Sequence, residues 1–488
     1  MSNHFFNAVR AAMPGKDRRL AAGPGCSDMT YGDMLWATGR LANGLVSLGL
    51  KPGDRLAAQT EKCLPALLLY LACVRAGLVY LPLNSAYTRA ELDYFLADAE
   101  PGLLVCDPDR AGNPAIRALT LDEHGQGSLM DLADSQSEHF FDVPRREDDL
   151  AAILYTSGTT GRSKGAMLTH GNLLSNARTL ADAWRFTQSD VLLHALPIHH
   201  SHGLFVATNT ALMAGAAMIF LPRFEADLVL DHLTAATVMM GVPTFYTRLL
   251  AHPRLNADAT RHMRLFISGS APLLAETHRQ WQEKTGHAIL ERYGLTETNM
   301  NSSNPYDGER RPGSVGFPLP GVSLRIEGGE IGMIEVKGPN VCKGYWRNEE
   351  KTKAEFKDDG FFITGDLGRI DEDGYVHIVG RAKDLVISGG FNVYPKEVEN
   401  EIDALPGVLE SAVFGVAHPD FGEGVTAAVV PKTGTNWDEA ALLDALKERL
   451  ARFKLPKKLI LIEELPRNAM GKVQKNLLRL RFKDLYAR

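Results

Sequence analysis

Cysteine is scarce, with five in 488 residues. Cys26, Cys63, Cys73, Cys106 and Cys342 are scattered, odd in number and free of CxxC spacing, so neither a disulfide framework nor a zinc site is indicated. A reducing, cytoplasmic location is the expectation. Long apolar runs are lacking too. The longest, residues 64–74, contains Pro65 and is closed by Lys62 and Arg75, which makes it too short to span a bilayer and suits a core helix instead. Membrane insertion is therefore not expected. The first ten residues carry no apolar run of the secretory kind, and the early Asp17 speaks against an organelle transit peptide. The spacing of Phe5, Phe6, Val9 and Met13 suits a short docked helix. Positive charge is not in excess either. A net charge of −6 with no long basic run excludes nucleic acid as the main partner, while leaving room for a local cationic pocket. There is no internal repeat or low-complexity segment, and composition carries no signal of oligomeric state.

What is present is an ordinary globular composition, 45% hydrophobic and 23% charged, in a chain long enough for two or three packing units. Strand-like runs alternate with helical patterns, which predicts an α/β fold with largely parallel sheets. Residues 150–155 read as a buried strand. Leu173, Leu174, Ala177, Leu180, Ala181 and Trp184 recur at helical spacing, so a helix packs back on the sheet. Two strand-like runs, 265–267 and 288–290, are each expected to end where a polar motif begins, and ligand crevices form at such carboxyl ends. Around 360–380 the pattern changes to short strands about the turn Asp371-Glu-Asp-Gly374, a small β unit. Beyond Arg381 a further α/β unit of about a hundred residues follows, a size that can fold alone. Its strands are expected near 385–387, 411–416 and 425–430, with a helix over about 438–450. The junction Gly380-Arg-Ala-Lys-Asp384 is short and not Pro-rich, a hinge rather than a loose linker.

The densest chemical signal is Thr156-Ser-Gly-Thr-Thr-Gly-Arg-Ser-Lys-Gly165. Its glycines let the main chain come close and expose N–H donors, its hydroxyls add more, and Arg162 and Lys164 supply charge, all suited to a polyphosphate. It is not a Walker loop, because Lys164 lies between Ser163 and Gly165. Further along stand Glu291-Arg-Tyr-Gly-Leu-Thr-Glu-Thr298, Thr364-Gly-Asp366, Gly380-Arg381 and Pro466-Arg-Asn-Ala-Met-Gly-Lys472. By pattern alone each of these has a plainer reading: Glu297 as a solvated carboxylate, Asp366 and Arg381 as a surface ion pair, Lys472 as a solvated charge. His199-His-Ser-His202 invites a metal reading, but no second ligand cluster has compatible spacing.

These motifs, in this order and spacing from about residue 29 to 475, resemble those of the adenylate-forming superfamily of acyl-CoA synthetases, luciferases and adenylation domains. Within it, Pro197-Ile-His-His-Ser-His-Gly-Leu204, Met240-Gly-Val-Pro-Thr-Phe-Tyr-Thr-Arg248 and Ser268-Gly-Ser-Ala-Pro-Leu273 most resemble the malonyl-CoA synthetases. The resemblance implies a large N-terminal domain, residues 1–381, and a small mobile C-terminal domain, 382–488. It implies ATP, Mg²⁺ and coenzyme A as cofactor and substrates, and malonate or methylmalonate as the acid. Thr156, Ser157, Gly158, Thr159, Thr160 and Lys164 would meet the β- and γ-phosphates, Thr296 the α-phosphate, and Glu297 the metal. Asp366 and Arg381 would hold the ribose, and Gly269, Ser270, Ala271 and Tyr293 the adenine; Glu291 and Arg292 complete that nucleotide motif. Lys472 would bridge carboxylate and α-phosphate. His202 would lie between acyl carbon and thiol, and Ser388, Gly389 and Gly390 would pass the pantetheine arm once the hinge at Lys383 has turned.

Arg248 is the expected partner of the distal carboxylate, with His202, Ser268 and Ser270 beside it; its plainer reading is a surface arginine. A lysine acetyltransferase is a conceivable partner, since acylation of Lys472 would remove its charge. Three other readings stand beside malonate activation: another short-chain acyl-CoA synthetase, an adenylation module loading a carrier protein, and a nucleotide-binding regulator. The chain ends sixteen residues after Lys472, which speaks against an appended carrier domain.

Overall fold

Helix 64–76, read from sequence as a core element, is buried on nearly every face, because it is apolar all round and offers no polar side to water. Pro65 sits in its first turn, where an N–H has no intrahelical partner, and Gly77 closes it in the left-handed region at φ 71°. The computed structural model describes residues 2–24, 26–112, 116–156, 163–435, 439–468 and 471–487. Two open sheets flank this helix. The six-stranded one runs parallel except for its last strand, Lys164–Thr169, which pairs antiparallel with Leu150–Thr156 and sets Thr156 opposite Lys164. In the nine-stranded sheet the strands from Leu290–Leu295 to Arg19–Gly23 run parallel, and antiparallel strands close both edges. One continuous core joins side chains from both sheets and from helix His170–Ala183. That helix starts at a reciprocal cap between Thr169 and Asn172, and Asn172 also donates to the Pro339 and Val341 carbonyls.

The strand at 290–295 departs from expectation. It was to end before Glu291, yet it begins at Leu290 and carries the whole motif to Leu295, because Arg292 to Leu295 pair antiparallel with Asn299–Ser303. The motif's second half, Thr296 and Glu297, is thereby left at a hairpin tip.

Four antiparallel strands, Ser323–Glu327, Gly332–Lys337, Phe362–Ile370 and Val376–Arg381, form the small β unit, with its turn at 371–374 closed by a 2.9 Å bond from Gly374 N–H to the Asp371 carbonyl. After Arg381 the chain builds a five-stranded sheet of its own, over cores made only of residues from 386 onward. The fold is thus α/β, with a large parallel-sheet part, a small β unit and a smaller α/β part. The N-terminal helix His4–Ala12 is present, and Cys63, Cys73, Cys106 and Cys342 are free and buried. Among the described residues no helix is long and apolar enough to cross a membrane.

Candidate active site

Strand Leu265–Ser268 ends in Gly269 and Ser270, and Ser270 adopts φ 70°, unusual for a residue with a side chain. A Cβ at Gly269 would stand 2.3 Å from Cζ of Arg292, so any side chain there would have to displace the guanidinium. Ser268 pairs with Glu291 on the neighbouring strand, so the Arg292 guanidinium lies across the bare Gly269 backbone. Arg292 is buried and its Nε and Nη2 have no hydrogen-bond partner among the described residues. Burial lowers its pKa to about 9, so it still carries its charge near neutral pH.

Facing this group is the π-helix His202–Thr208, a geometry concentrated at functional sites. His202 Nδ1 and Ser270 Oγ lie 3.1 Å apart. His202 Nε2, His199 Nε2 and Ser268 Oγ are buried without hydrogen-bond partners among the described residues. Burial pushes the imidazoles down, His202 well below its usual range, His199 to about 4 and His200 to about 3, so all three are neutral. A buried guanidinium surrounded by neutral donors and orphaned polar atoms is built for an anion.

On the nucleotide side, Asp366 and Arg381 are direct partners across two strands, with Arg381 Nε 2.6 Å from Oδ1. The Tyr293 hydroxyl donates to Oδ2 at 2.6 Å. Burial opposes the Arg381 charge, but Asp366 and its other anionic neighbours outweigh it and raise the pKa. At the hairpin tip, burial raises the Glu297 carboxyl while the Tyr345 hydroxyl reaches it at 3.2 Å and also bonds Glu355. Lys164 stands 3.8 Å from Glu355, which Lys351 holds at 2.6 Å. Glu291 is turned elsewhere, accepting from the Gly313 N–H at 3.2 Å, and its burial pushes it up to about 8. Thr296 and Ala271 are half-buried. Ser157, Gly158, Thr159 and Thr160 lie outside the described residues.

Lys472 arrives from the C-terminal part on a tight loop. Its N–H donates to Asn468 Oδ1 at 2.9 Å, Arg467 Nη1 donates to the Gly471 carbonyl at 2.6 Å, and Arg467 also pairs with Glu410. Gly471, at φ 73°, approaches Thr244 so closely that a Cβ would be 3.3 Å from its Oγ1. The loop thus reaches helix Pro243–Leu250 of the large part. The Lys472 side chain keeps solvent access inside a cleft of protein atoms; that crowding, with Arg381 and Lys383 near, lowers it to about 8 against the pull of Asp366 and Asp384.

Arg248 is exposed, not buried as its expected role required, because it projects from the last turn of that helix. It lies one turn on from Thr244 and so on the same side. Gly389 and Gly390, at φ 60° and 82°, form the two-residue turn after Ser388. Among the described residues no hydrogen bond joins this turn to the Asp366 group. Lys383 sits in the short 3₁₀ segment Ala382–Asp384, which Arg479 ties down through Asp384 at 2.9 Å. Sequence reasoning missed Tyr345, Glu355 and Lys351, which carry no local signal, and gave no role to Thr244 within the 240–248 motif. Ser268, Gly269 and Ser270 stand at the carboxyl end of a parallel strand, the place where ligand crevices form in such sheets. A groove of about 380 Å³ lined by Arg18, Gln188 and Gly215 lies instead near the strands' amino ends.

Residues 9–346 match the model of the AMP-binding enzyme family, and 397–472 that of the AMP-binding enzyme C-terminal domain. The crystal structure of ATP-bound MatB from Rhodopseudomonas palustris is 61% identical and covers all of both chains at a TM-score of 0.97. A malonate–CoA ligase of Arabidopsis thaliana is 38% identical over 83% of this chain and 74% of its own length. A feruloyl-CoA synthase of an Amycolatopsis species is 37% identical over 94% of this chain and 95% of its own. With both family models matched in sequence order, the first over more than half of its length, the chain belongs to the AMP-binding enzyme family.

Proposed function

We propose that this chain is an ATP-dependent malonyl-CoA synthetase, converting malonate, ATP and coenzyme A into malonyl-CoA, AMP and diphosphate through malonyl-AMP. The observation that carries the reading is Arg292: a buried guanidinium with free donors and no carboxylate paired to it among the described residues. Malonate keeps one carboxylate ionised while the other reacts, and an unpaired buried carboxylate costs roughly 3–5 kcal/mol. Arg292, with Ser268, Ser270 and His202, would supply the partner, and Arg248 at the cleft mouth would guide the dianion in. The malonate–CoA ligase among the relatives supports this choice over a monocarboxylate.

In the first half-reaction a malonate oxygen attacks the α-phosphorus, the new P–O bond forms and diphosphate leaves. Lys472 would hold carboxylate and α-phosphate together, offsetting their repulsion, with Thr296 as a further donor. Thr156 to Thr160 and Lys164 would take the outer phosphates, Lys164 leaving Glu355 to do so. Asp366 and Arg381 would hold the ribose, and Tyr293 with Gly269 to Ala271 the adenine.

A magnesium ion suits Glu297, since one carboxylate beside phosphate oxygens is a typical Mg²⁺ donor set and a cation would offset the burial that raises this carboxyl. It would neutralise phosphate charge. In the second half-reaction the thiol sulfur of coenzyme A attacks the acyl carbon, the thiol proton leaves and AMP departs. For this, residues 382–488 would turn as a domain on residues 1–381 about Lys383, withdrawing Lys472 and bringing in Ser388, Gly389 and Gly390.

The test is a panel of acids assayed for CoA-dependent AMP release. Malonate should lead, with methylmalonate next and acetate, propionate and butyrate at least about tenfold behind. A monocarboxylate in front would overturn the assignment in favour of another short-chain synthetase.

A further inference from the structure

Lys62 lies between strand Arg55–Gln59 of the smaller sheet and the buried helix 64–76, and only 9% of it is exposed. A buried lysine normally has a carboxylate partner. This one has none among the described residues: burial pushes its pKa well below the ordinary lysine value, and its Nζ instead reaches His194 on the larger sheet, 3.0 Å from Nδ1 and 2.7 Å from the backbone carbonyl. The Phe220 ring packs beneath Nζ at 4.4 Å.

His194 has a determined proton arrangement. Its Nε2 stands 2.9 Å from the Gly203 carbonyl, which only accepts, so Nε2 carries the hydrogen and Nδ1 offers its lone pair to Lys62. Thr208 Oγ1 donates to the same carbonyl at 3.0 Å. Gly203 directly follows His202 and Thr208 ends the π-helix, so this one carbonyl ties both ends of the irregular turn. Gly203 itself has no latitude, since a Cβ would sit 2.1 Å from the Pro197 carbonyl.

We infer that Lys62 is a positioning residue: by holding His194 it pins the π-helix between the two sheets and so sets where His202 faces the acid. The inference rests on the acid-pocket reading above. Lys62 touches no reacting atom; it acts only through His194 and the Gly203 carbonyl. Loss of the amino group leaves His194 Nδ1 buried without that donor and frees the ring to turn, which loosens the π-helix while the nucleotide residues around Asp366 stay in place.

The experiment measures ATP–diphosphate exchange in Lys62→Met and Lys62→Gln, with malonate and ATP varied separately, and the ¹⁵N shifts of the His194 ring in the parent. Lys62→Met should raise the KM for malonate about tenfold and leave that for ATP within about twofold, with Lys62→Gln recovering part of the loss. The parent ring should be the Nε2–H tautomer. An Nδ1–H tautomer in the parent overturns the inference even if Lys62→Met fails to fold, and so does an unchanged malonate KM or an equal rise in both constants. If the parent does not activate malonate at all, the functional reading fails instead, and the same comparison is made with the acid it does activate.

Discussion

Lys472 and Arg292 illustrate how two cations in one cleft are given different work by their surroundings. Crowding brings Lys472 to about 8, close to working pH, whereas Arg292 at about 9 keeps its charge in a sealed pocket. The ammonium is the acting form of Lys472, and it is lost as pH rises through its pKa. Adenylation measured as kcat/KM should therefore fall above pH of about 8 in the parent. Lys472→Ala should lower that half-reaction at all pH values and flatten the profile, while thioester formation from supplied malonyl-AMP survives. Equal damage to both halves would make the residue structural. For the acid, Arg292→Ala should cut malonate turnover by about a hundredfold or more, as expected for an unpaired buried carboxylate, and narrow the preference over propionate. Arg248→Ala, at an exposed position, should mainly slow capture and become less damaging as salt rises. A larger malonate defect in Arg248→Ala would exchange the two assignments.

At the scale of elements, the strand Leu290–Leu295 shows what sheet pairing imposes on a functional motif. Its first residue after Leu290, Glu291, is buried beside the Gly313 N–H and held protonated up to about 8, against an ordinary value of 4.5. Between those values the native state binds a proton that the unfolded chain has released. The stability this contributes is complete below about 4.5 and is lost as pH rises through 8, on the order of a few kcal/mol. Glu291→Gln, neutral throughout, should show a smaller drop in unfolding midpoint between pH 5 and pH 9 than the parent. Parallel curves would mean that Glu291 titrates normally. From the sequence this strand seemed to stop before Glu291, because Gly294 and the polar residues around it look like a turn. Pairing with Asn299–Ser303 supplied hydrogen bonds that local propensity could not anticipate. The strand at 150–156 and the helices at 64–76 and 170–183 were legible, since each rests on periodicity or composition within a short window.

For the whole molecule the decisive arrangement is that a separate C-terminal sheet carries Lys472 across to helix Pro243–Leu250. The Ala382–Asp384 segment, a single 3₁₀ turn, links that sheet to the small β unit along the chain, and proline within it would fix φ. Lys383→Pro should therefore keep the arrangement seen here and resist another. Malonyl-AMP should still form while its transfer to coenzyme A drops by roughly tenfold or more. Normal transfer in that variant would move the pivot elsewhere.

The sequence by itself determined the α/β order of elements, and it supplied the motifs on which the proposed polyphosphate loop, hinge and nucleotide contacts rest, because backbone propensity, hydrophobic period and motif spacing are local properties. Only the tertiary structure decided which cations lose water. Arg248 and Arg292 are alike in sequence, yet the first projects from a helix end into solvent and the second is sealed beneath Gly269. Lys62 became a buried tie to His194 across 132 residues of chain. Desolvation depends on strands far apart in sequence closing over the same group, and no window of neighbouring residues contains that information.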